Sequence, residues 1–227
     1  MAEMNNQRFH VRDCALVRMS TGHRAQTLRE FKECIENVPS GSIYHHFWGR
    51  FLQPQFDEPE YNNDFAAWAY HGLHEEALAE KLSVVDPTEF DDIEDLRQEL
   101  IERIEDYLFE YEYVPWARAD DQFYFVKSQL VVLDTGISIE APEELTEAVS
   151  KMSLGSIFYH FIDARRRTPE RTNDFSAWLI GLGEEFEPLA AAMDQLDPYF
   201  SSLKALRAMI HAECVSFFKG EATHGTS

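Results

Sequence analysis

The chain has 227 residues, with 41 Asp and Glu against 20 Lys and Arg and a formal net charge of −21. That length allows one or two domains, and so acidic a surface repels phosphate backbones and anionic lipid, which sets nucleic acid and membrane aside as ligands. No apolar run approaches a membrane span, and Cys14, Cys34 and Cys214 form no CxxC pair, which argues against a disulfide frame or a thiolate zinc site and fits a reducing cytoplasm.

In chain order, residues 1–6 show neither the basic start nor the apolar stretch of a secretory signal. Phe9 to Met19 reads as a short strand or a short helix, with Cys14-Ala15-Leu16 favouring helix, and the Thr21-Gly22 that follows predicts a turn or a helix stop. Gln26 to Val38 carries Leu28, Phe31, Ile35 and Val38 at helix spacing. Ser42 precedes an apolar stretch and reads as an N-cap, Asp64 as the cap of the next helix, and Asp86-Pro87 as a cap followed by proline at the first helical position. Asp92 to Tyr111 puts Ile93, Leu96, Leu100, Ile104, Tyr107 and Leu108 on one face and acids on the other. Val114-Pro115-Trp116 onwards reads as a linker, and the aromatics Tyr107, Phe109, Tyr111, Tyr113 and Trp116, clustered where the first repeat ends, as part of the packing between repeats.

The second half repeats this order. Gly41-Ser42-Ile43-Tyr44-His45-His46-Phe47 returns as Gly155-Ser156-Ile157-Phe158-Tyr159-His160-Phe161, from 42 to 156 a shift of 114, and Asn63-Asp64-Phe65-Ala66-Ala67-Trp68 returns as Asn173-Asp174-Phe175-Ser176-Ala177-Trp178. Thr135-Gly136, Asp197-Pro198 and Leu206-Arg207 also have first-half counterparts. Phe123 to Leu133 again reads as strand or short helix, Val131-Val132-Leu133 favouring strand. The pattern predicts a mainly α fold of two tandem-duplicated helical domains about a pseudo-twofold axis, each opened by a short strand or helix. Residues 1–112 form the first repeat, 113–122 a linker, 123–220 the second repeat and 221–227 a disordered tail.

The polar residues shared by the halves are Ser42/Ser156, His46/His160, Asn63/Asn173, Asp64/Asp174, Asp86/Asp197 and Arg97/Arg207. Caps, turns and an Arg–carboxylate pair account for all but His46/His160, which sits inside an apolar helix and reads as buried and hydrogen-bonded. The competing reading is a catalytic site of His46, Asp64 and His71. On one helix face Asp64, Trp68, His71 and Glu75 line up, with His74 beside them, so His46, Asp64, His71, His74 and Glu75 are also metal candidates. His71 and His74 become Gly181 and Glu184 in the second half, which confines such a site to the first. Arg165, Arg166, Arg167 and Arg171 form a basic cluster suited to an anion or an acidic partner, or simply a solvated helix end.

Ser-Ile-Tyr-His-His-Phe at 42–47, Asn-Asp-Phe-Ala-Ala-Trp at 63–68, Asp86-Pro87 and Asp-Leu-Arg-Gln-Glu-Leu at 95–100 together resemble an uncharacterised bacterial domain of unknown function. The likeness covers about residues 9–110, and the second half fits more loosely. It implies no activity, cofactor or catalytic residue. Members attached to sugar-transferring enzymes imply an accessory role at most. The expected function is a non-enzymatic binding or adaptor protein of the bacterial cytoplasm, with an acidic surface, a protein partner, no cofactor, and self-association as an option. The alternatives are a metal-dependent or His/Asp-based hydrolase with its site in the first repeat, and a sensor of small ligands or sugar phosphates.

Overall fold

A computed structural model describes residues 8–53, 60–111, 117–168 and 170–224, with side chains described through Lys219. Strand β1 (Phe9–Thr27) is followed by α1 (Leu28–Asn37), α2 (Ser40–Trp48), α3 (Asp64–His71), α4 (Glu76–Ser83) and α5 (Ile93–Glu110). Strand β2 (Arg118–Ile139) then leads to α6 (Glu144–Lys151) and α7 (Leu154–Ile157), which widens into a π-helical stretch, Phe158–Ile162, and then tightens into a 3-10 turn, Asp163–Arg166. Helix α8 (Asp174–Leu182), a short turn at Glu184–Phe186, α9 (Glu187–Asp194) and α10 (Leu203–His224) complete the chain.

The expectation of an all-α bundle of helical repeats is overturned. Of the described residues 56% are helix and 20% strand, and the two long strands pair antiparallel, which makes this a mixed α/β fold. The short opening elements are strands of 19 and 22 residues that run straight through Thr21-Gly22 and Thr135-Gly136. No chain reversal forms there: both strands continue through the glycines, which are left-handed with φ of 82° and 70°. The threonines tie these points to the partner strand. Thr21 Oγ1 donates to the Phe125 carbonyl at 2.7 Å and Thr135 Oγ1 to the Val11 carbonyl at 2.5 Å, while each accepts the N–H two residues ahead at 3.2 Å.

The chain divides into two compact units, residues 16–130 and residues 1–15 with 131–227. Each strand thus gives part of its length to each unit, so the divisions fall inside β1 and β2. Of the expected linker, 113–116 lie outside the described residues, as do Tyr113 and Trp116, and 118–122 open β2. Helix α10 reaches His224, and 225–227 lie outside the described residues.

In the α1–α5 unit, Leu28, Phe31 and Ile35 bury one face of α1 against α5 and the strands. Phe31 meets Trp68 at 4.5 Å and Phe123 at 5.0 Å between ring centroids. In the α6–α10 unit Phe9 takes the position of Phe123 and packs on Phe175 at 5.2 Å and Trp178 at 5.4 Å. Thr27 and Glu30 form a reciprocal capping box on α1. Arg97 and Arg207 do not mark a site. Arg97 Nη1 donates to the Ile35 carbonyl, Arg207 Nη1 to the Met152 carbonyl at 2.8 Å, and each thereby ties the last helix of its unit to the end of the first. Asp86 and Asp197 cap turns rather than helices, accepting from Thr88 N and Tyr199 N.

The aligned glycines of α2 and α7 separate in a testable way. A Cβ on Gly155 would stand 2.1 Å from Asp13 Oδ1 and 2.5 Å from the Cys14 carbonyl, whereas at Gly41 the nearest atoms are 4.0 Å away. Gly155→Ala should therefore cost about 1–3 kcal/mol by pushing on strand backbone. Gly41→Ala should be neutral or stabilise by up to about 1 kcal/mol, as expected for glycine within a helix. Urea melts of the two variants decide it, and equal midpoints would refute the claim.

Candidate functional site

The helix starts that carry Asp64 and Asp174 are capped by the residues before them. Asn63 accepts from Ala66 N at 2.8 Å and Asn173 from Ser176 N at 2.9 Å. The aspartates are not the N-caps expected of them. Each stands at the first helical position, and each reaches back to a histidine. Ser42 and Ser156 are not caps either. Both lie inside their helices, Ser42 donating to the Val126 carbonyl at 2.9 Å and Ser156 accepting from the Ser153 hydroxyl at 3.0 Å.

His46 and His160 are buried, 4% and 3% exposed. In each, Nδ1 meets the aspartate, His46 to Asp64 Oδ2 at 2.9 Å and His160 to Asp174 Oδ2 at 2.8 Å. In each, Nε2 accepts a strand amide, from Val126 N at 3.1 Å and from Arg12 N at 2.8 Å. A backbone N–H can only donate, so Nε2 carries no proton and Nδ1–H donates to the carboxylate. That fixes a neutral tautomer and leaves neither nitrogen open to a substrate. The imidazole is a rivet from helix to strand, and the same rivet occurs in both units.

A scan against family models matches residues 6–215 to a family of unknown function, DUF5752. The chain belongs to the DUF5752 family. The match spans both halves, including the second, where the motifs alone are looser. The structure of OrfY from Thermoproteus tenax resembles this one with a TM-score of 0.79 at 27% identity, covering 92% of this chain and 95% of that one. Among curated proteins no match is found.

The DUF5752 chain brings together only part of the catalytic and metal set expected from sequence. His46 and Asp64 meet. His71 lies elsewhere on the surface, 3.6 Å from Glu60, His74 pairs with Asp120 at 2.8 Å, and Glu75 accepts from the Tyr107 hydroxyl at 2.7 Å. Burial, then that hydrogen bond, pushes the Tyr107 phenol up. Among the described residues, the trio spaced to share one ion is His45, His46 and Asp64. A metal on His46 Nδ1 would require an imidazolate, because Nε2 already accepts from Val126 N, so the residues fit an ion poorly.

The sequence places His45 beside His46 on the helix facing Asp64, but not among the candidate ligands, because its aligned residue is Tyr159. It is buried and its Nδ1 hydrogen-bonds Ser128 Oγ across to β2. Burial first, then His46 and Arg18, pushes its imidazole down to about 4, against an opposing pull from Asp64. Ser128 aligns with Cys14, whose thiol donates to the Gly155 carbonyl at 3.2 Å and is pushed up to about 12 by burial, which leaves it unreactive.

The basic cluster of this DUF5752 chain is bound up inside its own unit. Arg166 Nε and Arg167 Nε reach the buried carboxylate of Asp163 at 2.6 and 2.9 Å, and Arg167 also binds Asp174 at 3.0 Å and covers the Tyr159 ring at 4.0 Å. Arg165 lies over Phe161 at 5.4 Å, and Arg171 is left-handed with its N–H on the Thr168 carbonyl. Arg50 plays a similar part in the other unit, 3.6 Å from Asp64.

Proposed function

We propose that the chain is a non-enzymatic binding or adaptor module that meets a basic protein partner through acidic surface. The observation that carries this reading is the commitment of both nitrogens of His46 and His160 within the fold, which removes the best candidate bases from catalysis. The twice-built rivet also supports a tandem duplication behind the family, here placed in the bacterial cytoplasm, where three free cysteines are at ease. No described helix is long and apolar enough to cross a membrane.

Helix α5 supplies one acidic face. Glu94, Glu99, Glu105 and Glu110 are paired with Arg97, Arg103, Lys32 and Lys81. Asp95, Glu102 and Asp106 fall on one exposed stripe, which ends at Phe109, 90% exposed. Exposed carboxylates speed encounter with a basic surface, and salt weakens that attraction because the Debye length is roughly 8 Å at physiological ionic strength.

The test is a pull-down from the native host at low and high salt, repeated with Asp95→Asn, Glu102→Gln and Asp106→Asn combined. A partner retained at low salt and lost in the variant is the expected result. Capture indifferent to salt and charge, or turnover by the purified protein alone, would overturn the reading in favour of a hydrolase.

A further inference from the structure

An open hollow of about 310 Å³ lies on the α1–α5 unit where α3 gives way to α4, lined by Tyr70, His71, His74 and Glu76. The Tyr61 and Tyr70 rings lie tilted at 49° with centroids 5.4 Å apart, and Tyr70 meets the edge of His71 at 5.0 Å, so Tyr70 gives the hollow an aromatic wall with Tyr61 beside it. Glu76 is the carboxylate in its lining, and three more stand against the neighbouring rings. Glu60 stands 3.6 Å from His71 Nε2, Asp120 2.8 Å from His74 Nε2, and Glu80 accepts from the Tyr61 hydroxyl at 3.5 Å. Burial, then Glu80, Glu60, Tyr70 and Glu76, holds the Tyr61 phenol above its ordinary range, so these charges are felt at one point. The nearby cation, Arg50, is turned to the Tyr61 carbonyl at 3.1 Å and to Asp64.

The lining is not demanded by the scaffold. The aligned residues of the other half are Ile180, Gly181, Glu184 and Phe186. His74 is held at φ 59°, a left-handed conformation uncommon outside glycine. A metal is the weaker occupant, because the described trio at one-ion spacing lies elsewhere, at His45, His46 and Asp64.

We propose that this hollow receives an arginine side chain presented by a basic protein partner, an inference that rests on the adaptor reading and gives it a docking point. A guanidinium is flat, stacks on tyrosine faces and forks its N–H groups onto carboxylates, whereas an ammonium offers only a point charge. The space suits one side chain entering from the open side.

The experiment is an NMR titration of the full chain with capped tri-arginine and, separately, capped tri-lysine peptides, followed at the backbone and imidazole signals of residues 70–76. Tri-arginine should shift these signals and bind about fivefold tighter than tri-lysine, since each tenfold corresponds to about 1.4 kcal/mol. Glu60→Gln with Glu76→Gln should weaken tri-arginine by about tenfold, the size expected for losing a charge-assisted hydrogen bond. Glu60 and Glu76 are both exposed, so the variant keeps its fold. Equal affinity for both peptides, binding unchanged in the variant, or zinc shifting these signals where tri-arginine does not, would each overturn the proposal. If shifts appear only along Asp95, Glu102 and Asp106, the docking point falls while the adaptor reading stands. If no peptide binds and a substrate is turned over, both fall.

Discussion

Replacing His160 or His46 with alanine should destabilise the protein by about 3–5 kcal/mol, the range reached when a buried hydrogen-bond network and its side-chain volume are lost together. In the His160 variant, the Arg12 N–H and the Asp174 carboxylate both lose a partner in a site where the ring is 3% exposed. An orphaned buried donor alone costs about 1–3 kcal/mol, and the void beside Phe9, 4.7 Å away, and Phe175, 5.6 Å away, adds to it. The two polar contacts can be separated. Asparagine can still donate towards the aspartate from the Nδ1 position, and glutamine can still offer an acceptor near Nε2. His46→Gln should therefore preserve slow hydrogen exchange at the Val126 amide, and His46→Asn should not. Denaturant melts give the totals, and exchange at Val126 and Arg12 gives the division. If alanine costs under about 1 kcal/mol, the range of an ordinary surface substitution, the rivet is not structural and the histidines return as candidates for catalysis.

The rivet was half-visible in the sequence. His46/His160 and Asp64/Asp174 stood out because the chain carries them twice, and burial of the histidines followed from their apolar neighbours. Their partners on the strands could not be read, because a backbone amide leaves no mark on residue identity. The cap was misplaced by one residue because Asn and Asp cap about equally well. Only the fold shows that Asn63 caps while Asp64 reaches back to His46. Helices were legible where one face was apolar throughout, as in α1 and α5. The strands were not, for two reasons. Phe9 and Val11 serve one unit while Ala25 serves the other, so no single alternation runs along β1. Glycine after threonine reads as a stop, but at Gly22 and Gly136 the strand continues through a left-handed residue. The Arg165–Arg167 cluster looked solvent-facing because Asp163, its buried counter-charge, has glycine at the aligned position 49.

Acid should weaken the fold through His45, with a sign set by its burial. Its imidazole titrates near 6.5 when exposed and is pushed down to about 4 in the folded chain, first by burial and then by His46 and Arg18, with Asp64 opposing. Between these values the unfolded chain holds the proton and the folded chain does not, so the unfolded state binds more protons and stability falls as pH falls. The contribution is whole above about pH 6.5, declines through the window and is gone below about pH 4. A gap of about 2.5 pH units corresponds to about 3 kcal/mol at one site. Carboxylates titrate at the acid end of the same window, so the histidine must be isolated by difference. His45→Gln keeps a polar contact for Ser128 Oγ and removes the titration. Urea midpoints for both proteins from pH 7 to pH 4 should converge as the pH falls, because only the wild type loses the His45 term. Parallel curves would show that His45 charges as readily in the folded chain as in the unfolded one, as would an imidazole NMR titration centred near 6.5, and either would mean that burial does not govern this side chain.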